Sequence, residues 1–213
     1  MPGYKYLKTE SGYYIYENEN YIPYGFSYNY YMSYEYCEQY SESSRASLML
    51  KAILLDDKQI KKYKDYLTDL ASLEDGFGEY DTTLEISEES LKSDCEALRE
   101  TSAELFNITE NGFRAELTRD KKSLVFFSIP YSEGWSATVN GRKVEIEKVN
   151  VGFMAVPVDE GISVIQFTYE TPMLKEGIMI SLGAFTVFLI YFIIAFFVSR
   201  RTKDRQRYPE GEI

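Results

Sequence analysis

Ile178–Val198 reads IMISLGAFTVFLIYFIIAFFV, a run without a charged residue. At about 1.5 Å rise per residue, a helix of this length crosses roughly the 30 Å hydrocarbon core of a bilayer. A helix buried in a soluble core normally keeps a polar stripe over such a length, and this one has none. Lys175 and Glu176 precede the run, while Arg200, Arg201, Lys203, Arg205 and Arg207 follow it. An excess of Lys and Arg marks the cytoplasmic side of a span. The expected arrangement is a helix in the cell membrane, with its tail in the cytoplasm and everything before Lys175 outside.

Outward from the span, the charge is lopsided. Met1–Glu176 carries 18 basic and 31 acidic residues, whereas the tail from Ser199 carries 5 and 3. Nucleic-acid binding needs a basic face, so an acidic ectodomain argues against that partner. The N-terminal stretch MPGYKYLKTESGYYIY does not show the basic-then-apolar order of a signal peptide. The expectation is therefore a C-terminal part of a longer polytopic protein, brought across by upstream helices or by a partner membrane subunit. Histidine is absent from the chain, which removes Ser-His-Asp and Cys-His chemistry and His-ligated zinc. Cys37 and Cys95 leave two options open, a disulfide or two buried thiols.

Thirteen of the twenty tyrosines fall in residues 1–40. Gly12–Tyr16 and Gly25–Tyr28 read as short strands, because aromatic and β-branched residues suit a pleated surface. Ser44–Leu55 reads as a helix capped by Ser43 or Ser44; its apolar end, Ala52–Leu55, fits a buried strand equally well. Lys58–Leu70 has Ile60, Tyr63, Leu67 and Leu70 at helical spacing, and Asp56-Asp57 fits a helix terminus better than a calcium loop. Ser87 opens a further helix, with Glu88 and Glu89 in its first turn and Leu91, Cys95 and Leu98 along one face.

From Leu105 the signals are strand and turn. Glu110-Asn111-Gly112 separates Leu105–Thr109 from Phe113–Thr118, and Asn140-Gly141 separates Trp135–Val139 from Arg142–Val149. The alternation of Val144 and Ile146 with Glu145 and Glu147 predicts one strand with a wet face. Lys122–Pro130, Phe153–Val158 and Ile162–Tyr169 complete the series. The predicted fold class is α+β, mainly β: an antiparallel, sandwich-like extracytoplasmic domain with a few helices, then one C-terminal transmembrane helix. Its divisions are a Tyr-rich mixed part (1–103), an antiparallel β part (104–172), the span with its flanks (173–199) and a basic cytoplasmic tail (200–213).

The sequence offers no catalytic residue, metal-ligand set or cofactor motif. Tyrosine and tryptophan present a broad apolar face with a polar tip, which can stack on a sugar or pack half-buried. Tyr14, Tyr16, Tyr24 and Trp135 are the candidates for sugar contact, although for Trp135 a packing anchor is the simpler role.

Three stretches together carry a resemblance. Tyr16-Glu17-Asn18 with Ile22-Pro23-Tyr24-Gly25-Phe26 is the first, and Tyr131 with Gly134-Trp135, Ala137 and Val139-Asn140-Gly141 the second. The third is Gly161, Ile165, Phe167 and Tyr169, followed by Pro172, Gly177 and Ser181. In that order, from about Tyr13 to Ser199, they resemble the C-terminal part of the YfhO-type bacterial membrane proteins. That family resembles the GT-C class of polytopic membrane glycosyltransferases. The resemblance implies a polyprenyl-phosphate-sugar donor and a cell-envelope glycopolymer acceptor, such as lipoteichoic acid. It also implies that the catalytic acidic residue lies among N-terminal helices outside this chain. The contrasting expectation is a non-enzymatic, membrane-anchored surface domain for binding or scaffolding.

Overall fold

The computed structural model describes residues 3–73 and 87–207, and all structural statements below concern these residues. Two compact units result, Met1–Tyr169 and Glu170–Ile213. The first begins with a hairpin of β1 (Tyr4–Glu10) and β2 (Tyr13–Asn18), which forms a sheet of its own.

A short parallel sheet follows. Its strands are β4 (Tyr30–Ser33), β5 (Ala52–Leu55) and β6 (Thr68–Asp69), in the order β5-β4-β6, and they come after the two-residue strand β3 (Phe26–Ser27). Between β4 and β5 run α1 (Tyr34–Glu38) and α2 (Glu42–Lys51); α3 (Asp57–Tyr63) follows β5. The Ser33 hydroxyl caps α1, and Ser41 caps α2. Ser43 and Ser44 therefore lie inside α2 rather than capping it. The helix stops at Lys51 because Ala52–Leu55 is buried on both faces and pairs as a strand.

Asp56 is the N-cap of α3 and forms a capping box with Gln59. The predicted longer helix to Leu70 ends at Tyr63. Leu67 and Leu70 are buried, but from the connection leading to β6 and the turn after it. Spacing alone could not distinguish a continued helix from a folded connection that buries the same side chains.

Ser87 caps α4 (Glu88–Glu100), as the sequence predicts. Beyond it lie two antiparallel sheets. The first has the order β11-β10-β14-β8-β7, from β7 (Leu105–Thr109), β8 (Gly112–Arg119), β10 (Trp135–Val139), β11 (Arg142–Val144) and β14 (Gly161–Tyr169). The second has the order β12-β13-β9-β3, from β9 (Ser123–Pro130), β12 (Glu147–Val149) and β13 (Phe153–Val158) together with β3. Both predicted hairpins form: the first turns at Glu110-Asn111, with Gly112 already paired to Thr109 as the first residue of β8, and at Asn140-Gly141 both residues have positive φ, 50° and 77°.

Arg142–Val149 is not one strand. The chain leaves the first sheet after Val144 and joins the second at Glu147, so Glu147 is buried and only 8% exposed. The predicted wet face thus holds at Glu145 and fails at Glu147.

The apolar run Leu124-Val125-Phe126-Phe127 explains the layering. Val125 and Phe127 pack with Phe113, Leu117, Met154, Val156, Ile165 and Phe167 between the two antiparallel sheets. Leu124 and Phe126 face the other way and pack with Phe26, Tyr28, Ile53, Leu55, Tyr63 and Leu98. The second sheet is thus covered on both faces, and its central strand reads as a continuous apolar run. On the far side of the parallel sheet, Met32, Cys37, Leu48, Ala52, Leu54 and Leu70 close a third cluster. Cys37 and Cys95 are both buried and free.

The second unit contains α5 (Leu174–Arg207). Its Leu174–Arg200 portion, 27 residues, is long and apolar enough to cross a membrane and has no buried part. Residues 208–213 of the predicted tail lie outside the described residues.

Candidate functional site

The four sugar-contact candidates fall into two groups. Tyr14 and Tyr16 lie on β2. The register pairs Tyr6 with Tyr16 and Thr9 with Tyr14, so these side chains share one face of the hairpin. The Tyr6 ring sits 6.4 Å from that of Tyr14 and 5.8 Å from that of Tyr16, edge-on to the latter. The Tyr6 and Thr9 hydroxyls are hydrogen-bonded at 2.8 Å. Arg99 on α4 holds the base of this hairpin, donating to the carbonyls of Tyr21 and Glu19.

Tyr24 and Trp135 belong to a file of rings on the first antiparallel sheet. Tyr24 stacks on Phe106 at 4.8 Å, Phe106 meets Phe113 at 5.3 Å, and Phe113 meets Trp135 at 5.6 Å. Trp135 also lies edge-on to Tyr169 and Phe167. Such pairs contribute about 0.5–1.5 kcal/mol each beyond the area they bury. Trp135 is therefore a half-buried packing residue, and Tyr24 a partly exposed cap on the same file.

Sequence reasoning missed a polar cluster between α3 and β12. The Glu147 carboxylate accepts hydrogen bonds from Tyr63 Oη at 2.7 Å, Lys62 Nζ at 2.6 Å and Gln59 Nε2 at 3.0 Å. Lys62 also reaches Glu145 at 2.7 Å. Burial opposes the charge on Glu147, but the bonds from Lys62, Tyr63 and Gln59 outweigh it and hold its carboxyl below the usual range. Burial pushes the Tyr63 phenol up, and the Glu147 carboxylate adds to that shift. A buried carboxylate held by Lys62, Tyr63 and Gln59 is suited to fixing α3 on the sheet rather than to acid-base chemistry.

A cavity of about 280 Å³ opens beside the parallel sheet, lined by Asn29, Tyr30, Leu50, Lys51, Leu70, Leu73, Asp94 and Leu98 among others. Four leucines supply much of its apolar wall, and the Lys51–Asp94 ion pair at 2.6 Å is part of its lining. The volume is near the lower bound of small-ligand sites. Tyr14, Tyr16, Tyr24 and Trp135 are not among its lining residues. No metal-holding group of His, Cys, Asp or Glu is present among the described residues.

Comparison with known proteins bears on the second half of the chain. Residues 82–181 match the family model described as Bacterial membrane protein YfhO. Over this stretch the chain is similar to the YfhO family. The Uncharacterized protein YfhO of Bacillus subtilis (strain 168) is 29% identical over 101 residues, covering 47% of this chain and 11% of that protein. The chain thus spans only a small share of that relative's length. No solved structure matches. The YfhO stretch includes Trp135, the Asn140-Gly141 turn and Gly161–Ser181, which are the second and third resemblance motifs. The first motif, with Tyr14, Tyr16 and Tyr24 in or beside it, precedes residue 82.

Proposed function

We propose that this chain is the extracytoplasmic C-terminal domain and last anchor of a polytopic, glycosyltransferase-like membrane protein of the YfhO family. In that reading the folded unit helps to position a polyprenyl-linked sugar or an envelope glycopolymer, lipoteichoic acid among them, while catalysis belongs to helices outside this chain. The carrying observation is the unburied helix Leu174–Arg200, flanked in sequence by an acidic folded unit and a basic tail. Leucine, isoleucine and phenylalanine exposed along a whole helix are stable in lipid and not in water, and the arginines after it favour the cytoplasm.

The test is labelling of intact cells with a membrane-impermeant amine reagent. Lysines ahead of Gly177 should react and Lys203 should be protected until the cells are permeabilised. Labelling of Lys203 with protection of the earlier lysines would overturn the orientation. A chain recovered in the soluble fraction would overturn the anchor.

A further inference from the structure

The β1–β2 hairpin is a ribbon whose two faces differ in chemistry. Cross-strand pairing places Tyr4, Tyr6, Thr9, Tyr14, Tyr16 and Asn18 on one face, none of them charged. Lys5, Lys8, Glu10 and Glu17 fall on the other, together with Tyr13 and Ile15, and Lys8 pairs with Glu10 at 2.5 Å. The four tyrosines of the uncharged face are 48–71% exposed even though Tyr6 touches two of its neighbours.

We infer that this face binds a stretch of uncharged glycan. A neutral sugar ring offers an apolar C–H face surrounded by hydroxyls, and tyrosine offers an aromatic face with a hydroxyl at its rim. Tyr14 and Tyr16 stand two residues apart on one strand, roughly 6.6 Å, so neighbouring rings can meet neighbouring sugar units. Charge selects against the rival occupants. A phosphate-rich chain would meet no cation on this face, in a segment up to Glu176 with 31 acidic against 18 basic residues. A lipid headgroup surface favours exposed cations beside the aromatics, whereas here the lysines lie on the opposite face among carboxylates. The inference rests on the reading above that the folded unit positions a sugar or glycopolymer, and it narrows the ligand at this face to uncharged sugar units rather than a phosphate backbone. Tyr24 and Trp135 are not part of this face.

The test uses the full chain in micelles of an uncharged detergent, titrated with cellohexaose and maltohexaose. Poly(glycerol phosphate) and phosphatidylglycerol vesicles serve as the charged comparisons. A neutral hexasaccharide should bind in the millimolar range or tighter. Tyr14→Ala with Tyr16→Ala should weaken that binding by about tenfold or more. Tyr14→Phe should retain most of it, and Lys5→Ala with Lys8→Ala should leave it unchanged. Circular dichroism should show the same strand content in every variant, which separates loss of binding from loss of fold. Absence of hexasaccharide binding, binding unaffected by the double tyrosine variant, or a tyrosine-dependent preference for the vesicles or the phosphate polymer would each overturn the inference. These outcomes are independent of the cell-labelling result, so site and topology can fail separately.

Discussion

Asn150 closes the open edge of the parallel sheet by acting as a one-residue strand for Leu54. Its side-chain oxygen accepts from the Leu54 amide at 2.7 Å, and its own amide donates to the Leu54 carbonyl at 3.2 Å. Asn150 also has φ 46°, in the left-handed region that asparagine tolerates better than most residues. Sheet edges left open invite pairing with other chains, and this contact joins the parallel sheet to the turn between β12 and β13.

Asn150→Ala should therefore leave a buried Leu54 amide without its acceptor and strain the turn, lowering stability by about 2–3 kcal/mol. The next residue, Val151, is β-branched, exposed and held at φ 71°. Val151→Gly relieves that strain and should raise stability by about 1 kcal/mol despite the added freedom of the unfolded chain. Urea unfolding in detergent, followed by the fluorescence of Trp135, gives both values.

The Glu147 cluster makes stability depend on pH with a definite sign. The folded carboxyl titrates below the ordinary carboxylate range, so its contribution is fully present above about pH 5. That contribution should be lost as the pH falls through the folded-state value and the carboxylate is protonated. Glu147→Gln should cost about 1–3 kcal/mol near neutrality and flatten the acid limb of the stability profile. Urea midpoints from pH 7 down to pH 3 provide the comparison; an acid limb equally steep in the variant would remove Glu147 from the account.

Two glycines should respond differently to the same substitution. A Cβ on Gly112 would come within 2.0 Å of the Phe167 carbonyl oxygen, a backbone atom of the paired strand β14. Gly112→Ala must push β8 from β14 and should cost about 3 kcal/mol. Gly141 has open space around it but φ 77°, so Gly141→Ala should cost only about 1 kcal/mol through backbone strain. Thermal unfolding of the two variants side by side checks the order.

Much of the β half was legible because its signals are local. The Asn140-Gly141 pair dictates a tight turn through its own φ preferences, and Ser87 and Asp56 mark helix starts through side chains that satisfy backbone amides within three residues. The parallel sheet was not legible. Ala52–Leu55 could end a helix or form a strand, and only pairing with Tyr30–Ser33, about twenty residues earlier, decides between them. Of the candidate site residues, Tyr14 and Tyr16 share a face by simple alternation. Their joining with Tyr6 depends on the register across the hairpin and on the bulge between Tyr6 and Lys8.

The sequence by itself determined the apolar helix Leu174–Arg200, the acidic character of what precedes it and the turn positions of the sandwich. Each of these depends on composition or on neighbours a few residues apart. Tertiary structure decided that Glu147 is buried, that Trp135 packs in a file of rings and that Asn150 completes a sheet edge. Those outcomes depend on which distant segments meet, because the low dielectric of a core and the partners within it exist only after the chain has folded.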